Sequence, residues 1–353
     1  MHKFVFITLG LCLLHLSALL AQGDAGRVRI AELNCENLFD TVHDEGFQDE
    51  EFTPQSSHKW GTRRYRRKLH MLSKELVSIS PVAPPDIIAL VEVENDSVVR
   101  DLTQRTRLWS LHYKYIVTHS SDPRGVDVAL LYQEGGFRPV SVNTIDWGKR
   151  LGRPTLHTRD LLHVEGVVKS GDTIDVLLLH APSRLGGKQS QRLRAAILTS
   201  LREYVDSVCT ARPTANVIIT GDFNDTPNTK SLKKYLGATV CEPGMMMRDE
   251  DIEPHRLYNL SAKPKAENGV KATYRYRGDW ETLDQFVVSG RLLQKSNRLH
   301  AASDPVSIVS HKFLLEPDKT YGNYKPWRTF QGPLYKGGFS DHLPTMLELE
   351  YRR

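Results

Sequence analysis

Nine short runs rich in β-branched and aromatic residues constrain this chain most, because several are apolar at consecutive positions and not only at alternate ones. They are Arg27–Leu33, Asp86–Val93, Tyr113–Thr118, Val126–Tyr132, Thr173–His180, Asn216–Thr220, Ala272–Tyr276, Thr282–Val288 and Thr345–Tyr351. Such runs predict strands. The continuous ones, Val176-Leu177-Leu178-Leu179 and Val217-Ile218-Ile219, suit strands covered on both faces. Two longer segments repeat their apolar residues at helical spacing. Trp60–Ser80 does so through Tyr65, Leu69, Leu72, Leu76 and Ile79, and Lys188–Val208 through Leu193, Ile197, Leu201, Tyr204 and Val208. Interspersed strands and helices, without an internal repeat or a Pro/Gly-rich linker, predict one α/β domain in which packed sheets carry helices on the outside.

The first residues read as an export signal. Lys3 precedes an apolar run from Phe4 to Leu20 that closes on the small residues Ala18 and Ala21. A cleaved signal peptide over residues 1–22 is expected, with residues 23–353 as the mature domain, secreted or periplasmic. An uncleaved anchor is the alternative, although His15 and Ser17 weaken such a span. The later cysteines Cys35, Cys209 and Cys241 are odd in number and lack metal-ligand spacing, which argues against a disulfide framework and a zinc site. A net charge of +5 is compatible with a polyanionic substrate without requiring one. The basic cluster Arg63-Arg64-Tyr65-Arg66-Arg67-Lys68 is read as the solvated side of the first helix in preference to a nucleic-acid patch.

Polar residues gather where the apolar runs end. Leu33 leads into Asn34 and Glu36, Val91 into Glu92, Leu179 into His180, and Thr220 into Gly221-Asp222-Phe223-Asn224. Asp284 follows Leu283, and Ser340-Asp341-His342 precedes the last run. Each motif alone reads as a turn or a cap. In layered sheet folds, however, ligands collect at strand ends, so the set in this order points to one pocket.

Asn34-Cys35-Glu36-Asn37-Leu38-Phe39, Asp86–Glu92, Gly221–Asp225, Leu283-Asp284 and Ser340–Pro344 resemble the ordered motifs of the endonuclease/exonuclease/phosphatase superfamily, and the likeness runs from Arg27 to the C-terminus. The superfamily includes DNase I, abasic-site nucleases of the exonuclease III class, inositol polyphosphate 5-phosphatases and neutral sphingomyelinases. The resemblance implies a four-layered α/β sandwich. It implies Glu92 as metal ligand with Asn34, Glu36 and Asp341 around it, and Asp222 with Asn224 as the pair that orients and deprotonates water. It also implies Asp284 as partner of His342, and His180 as a second catalytic histidine. Carboxylate and amide oxygens suit Mg²⁺ or Mn²⁺. Two departures stand out: Val91 replaces a common Gln, and Asp127 interrupts Val126–Leu131, where it reads as a solvent-facing residue or as a partner for His180. Arg184 and Lys188, beside Gly186 and Gly187 at a helix start, form a candidate phosphate cradle.

The reading is a phosphodiesterase, with DNA or RNA as the first substrate. A phosphatase or phospholipase-like esterase and a non-catalytic binding module are the alternatives. Trp280, Tyr324 and Trp327 are candidates for stacking on bases or entering lipid. The expected partner is the phosphoester substrate, and the expected form a monomer.

Overall fold

The computed structural model describes residues 26–242 and 247–352, so the expected leader over 1–22 lies outside the described residues. Two mixed sheets carry the fold. The first has six strands in the order Leu299–Ile308, Thr345–Tyr351, Gly26–Leu38, Ile87–Val93, Asp127–Tyr132 and Lys114–Val117. The second has seven, in the order Phe137–Ile145, Leu161–Val168, Thr173–His180, Val217–Asp222, Asp284–Ser289, Leu257–Asn259 and Thr239–Val240. Each sheet is built on a central parallel pair flanked by antiparallel neighbours, Gly26–Leu38 with Ile87–Val93 in the first and Thr173–His180 with Val217–Asp222 in the second, and the second sheet adds a short parallel pair at its edge, Leu257–Asn259 with Thr239–Val240.

The continuous apolar runs follow from this layering. Val176 and Leu178 pack between the sheets, while Leu177 and Leu179 face the helix Gly187–Ala211. Ile87, Ala89 and Val91 likewise point inward, and Ile88 and Leu90 lie under the helices Thr62–Ser78 and Asp96–Gln104. Both faces of each central strand therefore leave water, worth about 1.5–3 kcal/mol for each large aliphatic side chain. Helix, sheet, sheet and helix make the four layers expected. Among the described residues no helix is long and apolar enough to cross a membrane. Cys35, Cys209 and Cys241 are free thiols.

The first helix buries the expected stripe of Tyr65, Leu69, Leu72, Leu76 and Ile79. The long helix is rotated slightly from expectation. Ile197, Leu198, Leu201, Val205 and Cys209 form its buried face, and Leu193, Tyr204 and Val208 pack at the margin. Its basic counterpart is not wholly solvated either. Lys68 is buried, and its Nζ donates to Thr329 Oγ1 at 2.6 Å and Phe339 O at 2.7 Å. Arg67 Nε donates to Gly337 O, and Arg64 lies over the Tyr335 ring.

Four are the longest of the elements that go beyond the sequence reading. The helix Asp96–Gln104 is short, and its start is fixed by Asn95, whose side chain accepts from Ser97 N and Val98 N. The edge strand Phe137–Ile145 exposes most of its residues and contains Pro139, so its pattern is weak. In Leu161–Val168, Gly166 interrupts the run because a Cβ there would lie 2.4 Å from the Phe137 ring. The strand Leu299–Ile308 shifts register between Ala301 and Val306.

Candidate active site

The polar strand ends meet at one edge of the two sheets. His180 pairs in register with Asp222, and Asp222 with Asp284, so the three stand in one row across neighbouring strands. The strand Gly26–Leu38 brings Asn34 beside this row, where Asn34 Nδ2 donates to Asp222 Oδ2 at 3.3 Å. His342 precedes the last strand, and its Nδ1 lies 2.7 Å from Asp284 Oδ2. A cleft of about 890 Å³ opens here, lined by Glu92, His180, Asp222, Asn224, Asp341 and His342 among others. Asn34 and Asp284 support it from behind.

The backbone is bent to present these groups. Glu36, Asn37, Glu92 and Asn224 all have positive φ, between 49° and 60°. Left-handed backbone at non-glycine positions costs about 1–3 kcal/mol and gathers at functional sites. Gly221 solves a related problem. Its φ is +125°, and a Cβ there would lie 1.9 Å from Leu179 O, so only glycine lets the strand turn into Asp222. Asn224 N then donates to Asp222 Oδ1 at 2.7 Å, while Asn224 Nδ2 reaches Asp222 Oδ2 and Ala181 O.

The two histidines occupy opposite environments. Burial alone would lower the His342 imidazole, but Asp284, with Asp341 and Asp222 behind it, raises it well above the ordinary histidine range. His180 is pushed well below that range by burial and by the nearby Arg159 and Arg124. Its Nε2 lies 3.7 Å from Glu92 Oε1 and 3.9 Å from Asp222 Oδ2, and its Nδ1 is buried without a partner among the described residues. Burial and the neighbouring Asp284 push the Asp222 carboxyl up to about 7.

Several expected roles shift. Asp127 does not reach His180; it accepts from Thr118 Oγ1 and Ser120 N, as a buried carboxylate on a sheet edge requires. Glu36 lines the cleft, but its oxygens accept from Arg328 Nε, Thr329 N and Phe330 N, so it clamps the 328–330 segment where a metal ligand was expected. Asp341 Oδ2 accepts from Arg328 Nη2 at 2.8 Å. Arg184 reaches the rim, where its guanidinium pairs with Glu281. Lys188 is exposed and does not line the cleft. Trp280 and Trp327 pack against the core and Tyr324 lies outside the cleft, whose aromatic wall is Phe52, Tyr274, Tyr276 and Phe330. Val91, the departure before Glu92, is inter-sheet core.

Arg328 and Glu32 escaped the sequence reading. Glu32 is buried behind the row, where burial and then Asp284 raise its carboxyl well above the usual range. Its signal was a charge inside Ile30–Leu33.

The donor chemistry fits a hard cation. Glu92 and Asp341 offer carboxylate oxygens to one cleft, and the Asn34 amide stands beside Asp222. Asp222, Asp284 and His342 also bring ligand atoms within 4.8 Å of one another. That trio is the less suitable set, because Asp284 is already committed to His342 Nδ1.

Two packed mixed sheets between helices, with carboxylates, amides and two histidines at one edge, define a DNase I-like sandwich. The chain belongs to the Endonuclease/Exonuclease/phosphatase family, whose model matches residues 29–351. Among solved structures it is similar to a family member from Bacteroides thetaiotaomicron, at 14% identity and TM-score 0.55, covering 93% of this chain and 99% of that one. A humanized Danio rerio TDP2 matches at 14% identity and TM-score 0.52, covering 92% and 98%. A mannosyl-6-phosphatase from B. thetaiotaomicron matches at 14% identity and TM-score 0.50, covering 91% and 99%. No curated protein matches.

Proposed function

We propose that this protein is an exported, divalent-metal-dependent phosphoester hydrolase. The observation that carries the reading is the pairing of His342 with Asp284 beside Asp222 and Asn224 in one cleft. Asp222, raised to about 7, is poised to take a proton from water that the Asn224 amide helps orient. His342, held as imidazolium by Asp284, meets charge developing on the phosphate or the leaving oxygen. His180 stays neutral between Arg124 and Arg159 and serves as a hydrogen-bonding group, not as a second cation. Glu92, with Asp341 and Asn34, would hold Mg²⁺ or Mn²⁺, which when bound supplies charge neutralisation at a phosphate oxygen. The apolar run Phe4–Leu20 supports export.

For the substrate, the cleft supports best a small phosphoester or a strand end. Arg184 pairs with Glu281 and Arg328 with Asp341, while Arg124 lies 3.7 Å from Glu92. Binding along a duplex draws on cations free to displace counterions. A nuclease acting along DNA or RNA is the second reading, favoured by the net charge of +5. The test is turnover of plasmid DNA, RNA, sugar phosphates, inositol phosphates and sphingomyelin with Mg²⁺, with Mn²⁺ and with EDTA. Hydrolysis restored by either cation after EDTA is expected. Turnover that persists in EDTA refutes the metal role, and no turnover of any substrate refutes the enzyme.

A further inference from the structure

A second, smaller cavity of about 150 Å³ adjoins the cleft. Tyr276, Arg328 and Asp341 line both spaces, so the two are contiguous. Its charge is lopsided. Arg275, Arg277, Lys325 and Arg328 face it against Asp318 and Asp341, with Glu316 Oε1 also 3.6 Å from Lys325 Nζ, and no residue of the Asp222–His342 machinery lines it except Asp341. The space is ample for one phosphoryl group with waters around it.

The cavity wall is built, not incidental. Arg275 donates from Nε to Gly278 O and from Nη1 to Gly322 O, and its Nη1 lies 3.6 Å from Asp318 Oδ2. Asp318 Oδ1 is taken by Thr320 N and Tyr321 N. The hairpin Tyr274–Tyr276 to Asp279–Glu281 turns through Arg277 at φ +49° and Gly278 at φ +94°, and a Cβ on Gly278 would meet Tyr321 at 3.0 Å. Asn, Asp or Gly is the comfortable choice at the first of these turn positions. This chain places an exposed arginine there instead, over the Tyr276 ring at the cavity's edge. Arg328 keeps Nη1 without a protein partner among the described residues, its side chain about one third exposed.

We propose that this side cavity is a second anion subsite, and that the substrate carries a second phosphoryl group beside the one hydrolysed. The inference rests on the phosphoesterase reading of the cleft. A bisphosphorylated small molecule and the neighbouring phosphate of a strand end present the same chemistry to it, so the test carries an arm for each. The full chain is assayed on p-nitrophenyl phosphate, on a sugar bisphosphate against its monophosphate, and on a dinucleotide with and without a terminal phosphate. A KM about tenfold lower for the doubly charged member of at least one pair is expected. Arg277→Asn, which suits the left-handed turn, and Arg277→Glu should abolish that advantage and leave p-nitrophenyl phosphate turnover unchanged. Equal KM values within both pairs, or an advantage that survives both variants, overturns the subsite. If no compound is hydrolysed, it is the phosphoesterase reading that fails. Calorimetry with inorganic phosphate on the EDTA-treated protein then decides: binding weakened by both Arg277 variants supports the subsite, and binding unaffected by them, or none to the parent chain, overturns it.

Discussion

Asp284→Asn isolates the charge that keeps His342 protonated while leaving the shape of the pair almost unchanged. Asp284 is fully buried and lies 2.7 Å from His342 Nδ1. With charge centres about 4 Å apart, their attraction at an effective dielectric of 20 is about 4 kcal/mol. Without it, burial draws the His342 imidazole back down, opposed only by Asp341 and Asp222. At neutral pH a smaller share of His342 is then imidazolium, and the amide misdirects the tautomer as well. The kcat is expected to drop about 10²–10⁴-fold, as for loss of a positioned proton donor. The sign of the pH effect follows. A raised imidazole keeps its proton above the ordinary range, so parent activity extends to the alkaline side, and the variant's alkaline limb moves to lower pH. A pH–rate profile with and without the substitution measures this. A kcat within threefold of the parent, or an alkaline limb that stays in place, would falsify the imidazolium role of His342.

Three further outcomes are expected. Asp222→Asn lowers kcat by about 10²–10⁴-fold, because the group poised near 7 for accepting a proton is lost; circular dichroism should show the parent fold. Glu75→Gln stabilises the protein at pH 7 by on the order of 2–3 kcal/mol in urea unfolding. The buried Glu75 carboxyl has no hydrogen-bond partner among the described residues, and burial raises it from 4.5 to about 8. The fold therefore keeps a proton that the unfolded chain releases, and parent stability declines as pH rises between those values. Lys188→Ala leaves KM unchanged, since Lys188 is exposed and outside the cleft; a several-fold rise would restore it to phosphate binding.

The layers were legible because continuous apolar runs have few ways to leave water. Val176–Leu179 and Val217–Ile219 had to be covered twice, and they are. The strand-end motifs were legible as a set for a related reason: Asp222, Asn224, Asp284 and His342 follow or precede such runs directly, and the sheets bring those ends together. What failed was partner choice. Asp127 and Glu32 each interrupt an apolar run, which signals a buried polar group but does not say what satisfies it. Thr118 and Ser120 do so for Asp127, and Thr345 for one oxygen of Glu32. The partners of Glu36, Arg328 and the Thr329 and Phe330 amides, were not legible because they lie some 290 positions away. Arg328 belongs to no apolar run and had no local signal at all.

His180, Asp222 and Asp284 sit on a single rung of the backbone ladder, so their mutual spacing is dictated by the strand separation of about 4.8 Å and not by any loop. Sliding the strand Val217–Asp222 one residue past its neighbours would swing its side chains to the opposite face. Asp222 cannot drift out of this row by gradual loosening; it is in place while the pairing is correct and gone when the pairing slips, so under the proposed function turnover would report strand alignment during refolding.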